Sequence, residues 1–400
     1  MITYDYCIIG AGIIGLSIAQ NLIKKYPKAN IILIEKETDV ALHASGRNSG
    51  VLHAGFYYSA ESLKAKFTKQ GNKLLTQYCL DNNIKINQCG KIIVASNDDE
   101  IKGLEELKKR GDTNGVELHW LDDKELKTKY PNINTVKKAL YSPTTSTVDP
   151  KEVCEHIYQD LKQKNVNISL NTKYIKKIDS NSIKTSNQNI KFKKLINCAG
   201  LYADKIAKDF RFAKDFTIIP FKGIYLKDHL NKNNLQINIY PVPNLKNPFL
   251  GVHFTLTVNN EAKIGPTAIP AFWRENYGGL DNFSLNEFIS ILAYESKLFF
   301  TNAFGFRVLA YEEVRKYYKP FLLNLAKKLQ SNSSYDGFDT WSTPGIRAQL
   351  LDTKTLELVQ DFVVQGDDNT IHILNAVSPA FTSSFPFTNW VIENYIDKNS

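Results

Sequence analysis

Cysteine is sparse in this chain, five in 400 residues, and no two stand in a Cys-x-x-Cys spacing. An odd, scattered set excludes a disulfide framework and a cysteine-ligated zinc site, and no metal is expected. Long apolar runs are also missing. Nothing approaches the roughly 18 residues that a bilayer-spanning helix needs, and the mean hydropathy is −0.30. Internal repeats and low-complexity linkers are absent, which excludes solenoids and disordered tethers. Arginine is rare, at seven of the 50 basic residues. In a chain that writes nearly every cation as lysine, each arginine is a candidate for forked carboxylate recognition, which lysine performs poorly. Blocks of like charge are missing too. The formal charge is +9, yet the lysines fall in scattered pairs such as Lys24-Lys25, Lys108-Lys109 and Lys327-Lys328, so no nucleic-acid partner is expected. A strand pattern begins almost at residue 1, which leaves no room for a signal peptide, and a cytoplasmic protein is expected.

What is present is ordinary globular material, 43% apolar and 23% charged, long enough for two domains. The clearest pattern comes first. An apolar strand over 4–9 runs into Gly10-Ala11-Gly12-Ile13-Ile14-Gly15. A helix with Ile14, Ile18 and Leu22 on one face follows, then a second apolar strand ending in Glu35. These parts arrive in the order of a dinucleotide-binding βαβ unit. Gly10 permits the tight turn, Gly12 lets the backbone approach a pyrophosphate, and Gly15 lets the helix lie close to the strand. The helix start offers unpaired N–H groups to phosphates, and Glu35 stands where a carboxylate accepts from ribose hydroxyls.

Beyond this unit the pattern predicts a loop of small residues over 41–55, a long amphipathic helix over 61–83, a strand over 90–96 and a polar helix over 98–114. Asp149-Pro150-Lys151-Glu152 carries an N-cap and a first-turn proline and opens a helix. A later strand ends at Asn197-Cys198-Ala199-Gly200, a second place for backbone to approach a cofactor. Residues 217–270 alternate like sheet, including 221–226, 237–241, 248–256 and 262–265, and 284–330 read as helical. The predicted fold class is α/β (α+β). A Rossmann-like dinucleotide domain, discontinuous in sequence, takes 1–80, 145–215 and 335–400. A substrate domain with a mixed or antiparallel sheet and a helical insertion takes 81–144 and 216–334.

Further motifs carry a family resemblance. HASGRNSGVLHAGFYY, GKIIVA, NCAGLYAD, PFKGIY, IYPVPN, PFLGVHF, GPTA, GIRAQ and DDNTIHILNAVSPAFTS together resemble the L-2-hydroxyglutarate dehydrogenase/oxidase family, within the D-amino-acid-oxidase-like FAD enzymes. The similarity runs nearly end to end and is weakest over 280–335. It implies FAD as cofactor. The implied contacts are the glycine turn with Ile13, Ile14, Glu35 and Lys36, then Ser45, Arg47, Asn48, Ser49, Gly50 and Val51. Tyr174, Ala199, Gly200, Pro344 and Gly345 follow, with Ser378, Pro379, Ala380, Phe381 and Thr382 last. Three positions depart from the family. Arg47 replaces its usual His, Trp273-Arg274-Glu275 replaces a Lys-Arg-Glu run, and Phe381 stands where a small residue is usual.

Oxidation of a 2-hydroxy acid removes the hydroxyl proton and passes the Cα hydride to flavin N5, so the protein must supply a base and a carboxylate clamp. His53, just after the small-residue loop, is the first candidate base and His253 the second. A histidine base predicts that kcat/KM rises with pH through an apparent pKa of about 6–7.5. Arg347, by the resemblance, holds the carboxylate beside the reacting carbon, and Arg274 is the candidate for the distal one. Lys222 and Tyr240 fall on sheet positions able to face the flavin. His-Ala-Ser-Gly at 43–46 resembles a sequence at which some superfamily dehydrogenases attach FAD covalently, which makes His43 a candidate attachment point.

The leading function is oxidation of L-2-hydroxyglutarate to 2-oxoglutarate, with oxygen or a membrane quinone as electron acceptor. An amino-acid or amine oxidase is the enzymatic alternative, and a basic flavoprotein binding RNA or membrane the other. Phe288, Ile291, Leu292, Phe299, Phe300, Phe304 and Phe306, followed by Lys316, Lys319, Lys327 and Lys328, make the helical insertion a candidate for peripheral contact with the inner face of a membrane. Filling the substrate-domain core is the alternative use of those aromatics.

Overall fold

In the computed structural model, which describes residues 2–243, 250–331 and 335–397, the strand Thr3–Ile9 lies parallel between Ile31–Ile34 and Asn189–Asn197. Thr370–Asn375 and Asn167–Ser169 extend the parallel sheet on its two sides. Side chains alternate between faces along each strand. Ile8, Ile31 and Leu33 pack beneath the helices Ile13–Lys25, Leu63–Asp81, Pro150–Gln163 and Ala380–Tyr395. Cys7, Ile9, Ile32 and Ile34 face Ile206 and Phe210 on the other side. Burial on both faces is why these strands read as unbroken apolar runs. The Asp149 side chain accepts from the N–H groups of Lys151 and Glu152 and caps its helix as its sequence foretells.

A second, mixed sheet runs in the order Thr340–Trp341, Leu226–Asp228, Ala262–Gly265, His253–Leu256, Asn238–Pro241, Lys91–Val94, Lys138–Ser142, His119–Asp122. The strand expected over 248–256 begins at His253, and residues 248 and 249 lie outside the described residues. Between the two sheets, Phe216–Gly223 pairs antiparallel with Gly345–Asp352 along its whole length. This ladder ties residue 216 onward to the chain after 335, across the boundary drawn from sequence.

The insertion forms the helices Leu285–Thr301, Phe306–Arg315 and Lys319–Lys327. Its apolar residues divide between the core and the surface. Leu298 and Phe306 pack with Ile219, Phe221 and Leu351, and Ile291 is buried, while Leu292, Phe299, Phe300 and Phe304 are exposed. Lys316 does not flank an exposed face, because it is buried in an ion pair with Glu313. Among the described residues no helix is long and apolar enough to cross a membrane.

Candidate active site

The glycine turn is packed to its limit. A Cβ on Gly15 would stand 1.9 Å from the Gly10 carbonyl oxygen, so the helix rests directly on the turn. One on Gly10, where φ is +103°, would stand 2.6 Å from the Cys198 carbonyl oxygen. Cys198-Ala199-Gly200 therefore lies against the first turn, as the sequence leads one to expect. A Cβ on Gly12 would meet Ser45 Oγ at 2.8 Å, and that oxygen accepts the N–H of Ile13 at 2.9 Å. Ser45 thus lays the loop after the second strand across the helix start. Glu35 is buried, with Oε2 accepting from Ala11 N–H at 2.8 Å and Oε1 from Glu37 N–H at 3.0 Å. These bonds aim the carboxylate at the turn and leave lone pairs for ribose hydroxyls. A cradle of backbone that any side chain would fill, facing an oriented carboxylate, fits a dinucleotide such as FAD.

The loop over 41–50 is held by its own polar side chains. Asn48 donates to the Ala44 and Ser45 carbonyls at 3.2 and 2.7 Å and accepts from Gly50 N–H at 2.8 Å. Arg47 donates Nε to the Leu42 carbonyl at 2.6 Å and Nη1 to that of Pro344 at 3.3 Å, with its guanidinium carbon 4.1 Å from the Tyr277 ring centroid. Gly345 allows this contact, since a Cβ there would lie 2.4 Å from the Arg47 carbonyl oxygen. The Ser49 hydroxyl meets Tyr225. The last helix opens beside Val51 and His53. Thr382 Oγ1 accepts His53 N–H at 3.1 Å and donates to the Val51 carbonyl at 3.3 Å. Residues more than 300 apart in sequence are thereby joined at one wall, where Ser378, Pro379 and Ala380 lead into the helix. Phe381 turns away and packs on the apolar core of the same layer.

Several expected roles need correction. Arg274 does not await a carboxylate of the substrate. It is buried and forks Asp204, Nη1 to Oδ1 at 2.6 Å and Nη2 to Oδ2 at 2.9 Å. Lys222 pairs with Ile346 while Phe221 pairs with Arg347. Alternation along the strand then puts Lys222 and Arg347 on opposite faces of the ladder. Tyr174 opens the strand Tyr174–Asp179 and donates its hydroxyl to Asp209 at 2.8 Å. Thr172, two residues earlier, is what touches Glu35, its N–H on the Glu35 carbonyl at 2.7 Å. Lys36 is paired with Glu275 at 2.8 Å and with Glu37. His43 has both ring nitrogens engaged, Nδ1 with the Tyr277 hydroxyl at 2.5 Å and Nε2 with Glu37 at 2.9 Å. The ligand atoms of Glu37, His43 and Glu275 lie within 4.8 Å of one another, and the Lys36 ammonium is the cation among them.

The remaining candidates converge. Tyr240 and His253 are opposed across neighbouring strands, since Ile239 pairs with Phe254, and their rings stack with centroids 3.7 Å apart. His253 Nδ1 meets the Gly251 carbonyl at 2.8 Å. A carbonyl only accepts, so Nδ1 bears the proton and Nε2 keeps its lone pair. Burial, opposed by that bond and reinforced by the charges of Lys91, Arg347 and Lys316, lowers the His253 pKa to about 3. His53 is also buried and its Nδ1 has no partner among the described residues. Burial, with Lys91 and His253 adding to it, holds its pKa well below the usual histidine value. Burial thus favours the neutral form of both imidazoles. Arg347 donates Nη1 to the Thr267 carbonyl at 2.8 Å, and Tyr225 and Glu313 lie within electrostatic reach of it.

Sequence reasoning passed over Lys91, Tyr57 and Glu313, and read Lys316 as a surface lysine. Lys91 carried a legible signal, a lysine heading a strand, Lys91–Val94, of otherwise aliphatic residues. Tyr57 gave none, because only burial distinguishes it from neighbouring tyrosines.

The FAD dependent oxidoreductase family model matches residues 5–391. The mitochondrial L-2-hydroxyglutarate dehydrogenase of Homo sapiens is 35% identical over 415 residues, covering 98% of this chain and 88% of its own. The L-2-hydroxyglutarate dehydrogenase of Escherichia coli strain K12 is 34% identical over 396 residues, covering 96% and 91%. Among solved structures, L-alpha-glycerophosphate oxidase from Mycoplasma pneumoniae with FAD bound matches with a TM-score of 0.76 at 22% identity, over 98% of this chain and 94% of that one. Glycine oxidase from Geobacillus kaustophilus gives 0.71 at 16%, over 100% and 96%. These two likenesses establish the fold. With the glycine cradle, the Glu35 carboxylate and the family model in agreement, the chain belongs to the FAD dependent oxidoreductases and, within them, to the family of the L-2-hydroxyglutarate dehydrogenases.

Proposed function

We propose that this enzyme oxidises L-2-hydroxyglutarate to 2-oxoglutarate. One observation carries the reading beyond family membership. Two buried histidines stand beside Lys91 and Arg347, whose charges depress the basicity of His253. Such a field favours an anionic substrate. Arg347 binds the carboxylate beside the reacting carbon through its fork. His253 Nε2 or His53 accepts the hydroxyl proton. The arriving carboxylates offset the cationic part of that depression and so raise the basicity of either imidazole. Bound FAD supplies the acceptor for the hydride. Gly10, Gly12, Gly15, Glu35, Ser45 and the start of the last helix hold that cofactor. Anaerobic titration of the yellow protein tests the proposal. L-2-Hydroxyglutarate should bleach the flavin absorbance, and bleaching by glycine or sarcosine in its place would establish an amine oxidase.

The exposed face of the insertion favours a membrane quinone over oxygen as electron acceptor. Phe299, Phe300, Phe304, Val308, Tyr311, Val314, Tyr317 and Tyr318 are all exposed, more contiguous apolar surface than isolated residues account for. We read this face as resting on lipid, with Lys319, Lys327 and Lys328 near the headgroups. The five free cysteines suit a reducing compartment, the cytoplasmic side of that membrane. Flotation with anionic vesicles at low salt tests this; protein left in the soluble fraction would refute it.

A further inference from the structure

Lys91 is 0% exposed, and its Nζ has no hydrogen-bond partner among the described residues. It heads the strand Lys91–Val94, which lies parallel beside Asn238–Pro241, with Asn238 opposite Lys91 and Tyr240 opposite Ile93. That register puts Lys91 on the sheet face of Tyr240 and, one strand further, of His253. Its surroundings are aromatic, with Nζ 4.2 Å from the ring centroid of Tyr240, 5.1 Å from that of Tyr57 and 5.7 Å from that of Phe56. Ring faces attract a cation, but they do not replace the water or counter-ion that burial removes. Burial lowers the ammonium pKa to about 7, as expected of a charge held without an anion. Two more buried polar atoms in the same surroundings lack partners among the described residues, the Tyr57 hydroxyl and His53 Nδ1. A folded chain gains nothing by leaving an ammonium and a hydroxyl donor together, buried and unsatisfied, where methionine and phenylalanine would pack as well.

Both donors want the same thing, a small anion with several lone pairs. Arg347, on a separate strand, provides for one carboxylate of the substrate. We propose that Lys91, with the Tyr57 hydroxyl beside it, receives the side-arm carboxylate and makes the enzyme select dicarboxylic 2-hydroxy acids over monocarboxylic ones. This assignment rests on the functional reading above. It gives the role first expected of Arg274 to a residue with no competing partner. A lysine suits the position, because a compact ammonium fits among three rings where a planar fork does not.

The test compares L-2-hydroxyglutarate with L-2-hydroxypentanoate, which carries a methyl group where the diacid has its second carboxylate. In Lys91→Met, kcat/KM for the diacid should fall about 10²–10³-fold, while that for the monoacid stays within about threefold or rises. Tyr57→Phe should cost the diacid about tenfold and leave the monoacid unchanged. Product binding, read from the flavin spectrum on titration with 2-oxoglutarate and 2-oxopentanoate, should show the same split. A loss shared equally by both acids, or no loss for either, overturns the assignment. If Lys91→Met is recovered without flavin, Tyr57→Phe carries the same comparison. A parent enzyme whose flavin L-2-hydroxyglutarate does not reduce overturns the functional reading, and the assignment with it. Parent activity with an unchanged preference in Lys91→Met overturns the assignment alone.

Discussion

Replacing Arg274 by methionine separates a structural arginine from a substrate-binding one. Asp204 is fully buried, and burial alone would raise its pKa, yet Arg274 more than reverses that and keeps the carboxylate ionised. In Arg274→Met the carboxylate keeps the Ile218 N–H at 3.2 Å, the Thr217 hydroxyl at 3.5 Å and the more distant charge of Lys208. Breaking a buried pair while leaving one charge behind costs about 3–5 kcal/mol. An unfolding entropy of about 2.1 cal/mol/K per residue, taken over the whole chain, gives about 0.8 kcal/mol/K, so Tm should fall by about 4–6 °C. The fall is larger if the domains unfold separately, because fewer residues then share the transition. Arg274→Met with Asp204→Leu removes both charges and should recover most of the loss. Thermal unfolding of the FAD-loaded proteins, followed by near-UV circular dichroism, measures the shift. Below the transition, kcat/KM for L-2-hydroxyglutarate should stay within about threefold of the parent. A variant with unchanged Tm and a collapsed kcat/KM would refute the reasoning and return Arg274 to the substrate.

Other perturbations probe other parts of the site. Glu35→Ala should weaken FAD by about 1–3 kcal/mol, measured by flavin release on dilution. Unchanged retention would mean that the ribose is held elsewhere. Arg347→Lys should lower kcat/KM far more than a charge-conserving change suggests, with FAD content intact, because the fork is lost; near-normal kinetics would move the clamp. With L-2-hydroxypentanoate, kcat/KM should show no rising limb between about pH 6 and 7.5, since both imidazoles are already deprotonated there. A unit-slope limb in that window would show an ordinary, solvated histidine base. Stability should fall as pH drops below about 6.5. His53, His253 and His372, the last lowered to about 4 by burial, bind protons in the unfolded chain before they do so in the folded one. A Tm that is flat from pH 6.5 to 5 would contradict their burial.

The dinucleotide unit was legible because its constraints are local. Gly10, Gly12 and Gly15 mark a turn with no room for side chains, and the apolar runs on either side mark strands covered on both faces. Asp149-Pro150 likewise announced a helix start that needed nothing from the rest of the chain. The scarcity of arginine marked each arginine, and one of them, Arg274, forks a carboxylate. Arg47, Arg274 and Arg347 each engage more than a solvated surface, but which partner each meets was not written nearby. Arg274 meets Asp204, 70 residues earlier.

Register and burial decided the rest. One step along Phe216–Gly223 separates Phe221, which shares a face with Arg347, from Lys222, which does not, and no composition reveals the pairing that sets it. His53 and His253 were identifiable as histidines near glycine-rich segments. Their neutrality comes from side chains that only the folded chain brings together. Lys91 is the clearest case. In the sequence only its place at the head of an aliphatic strand sets it apart, and solvation is the ordinary fate of a lysine. Only the sheet, by burying Lys91 among Tyr57, Phe56 and Tyr240 without an anion, turns it into a group that needs a ligand. Local rules record what a segment can form by itself, whereas desolvation and charge pairing depend on distances between segments, and those exist only after folding.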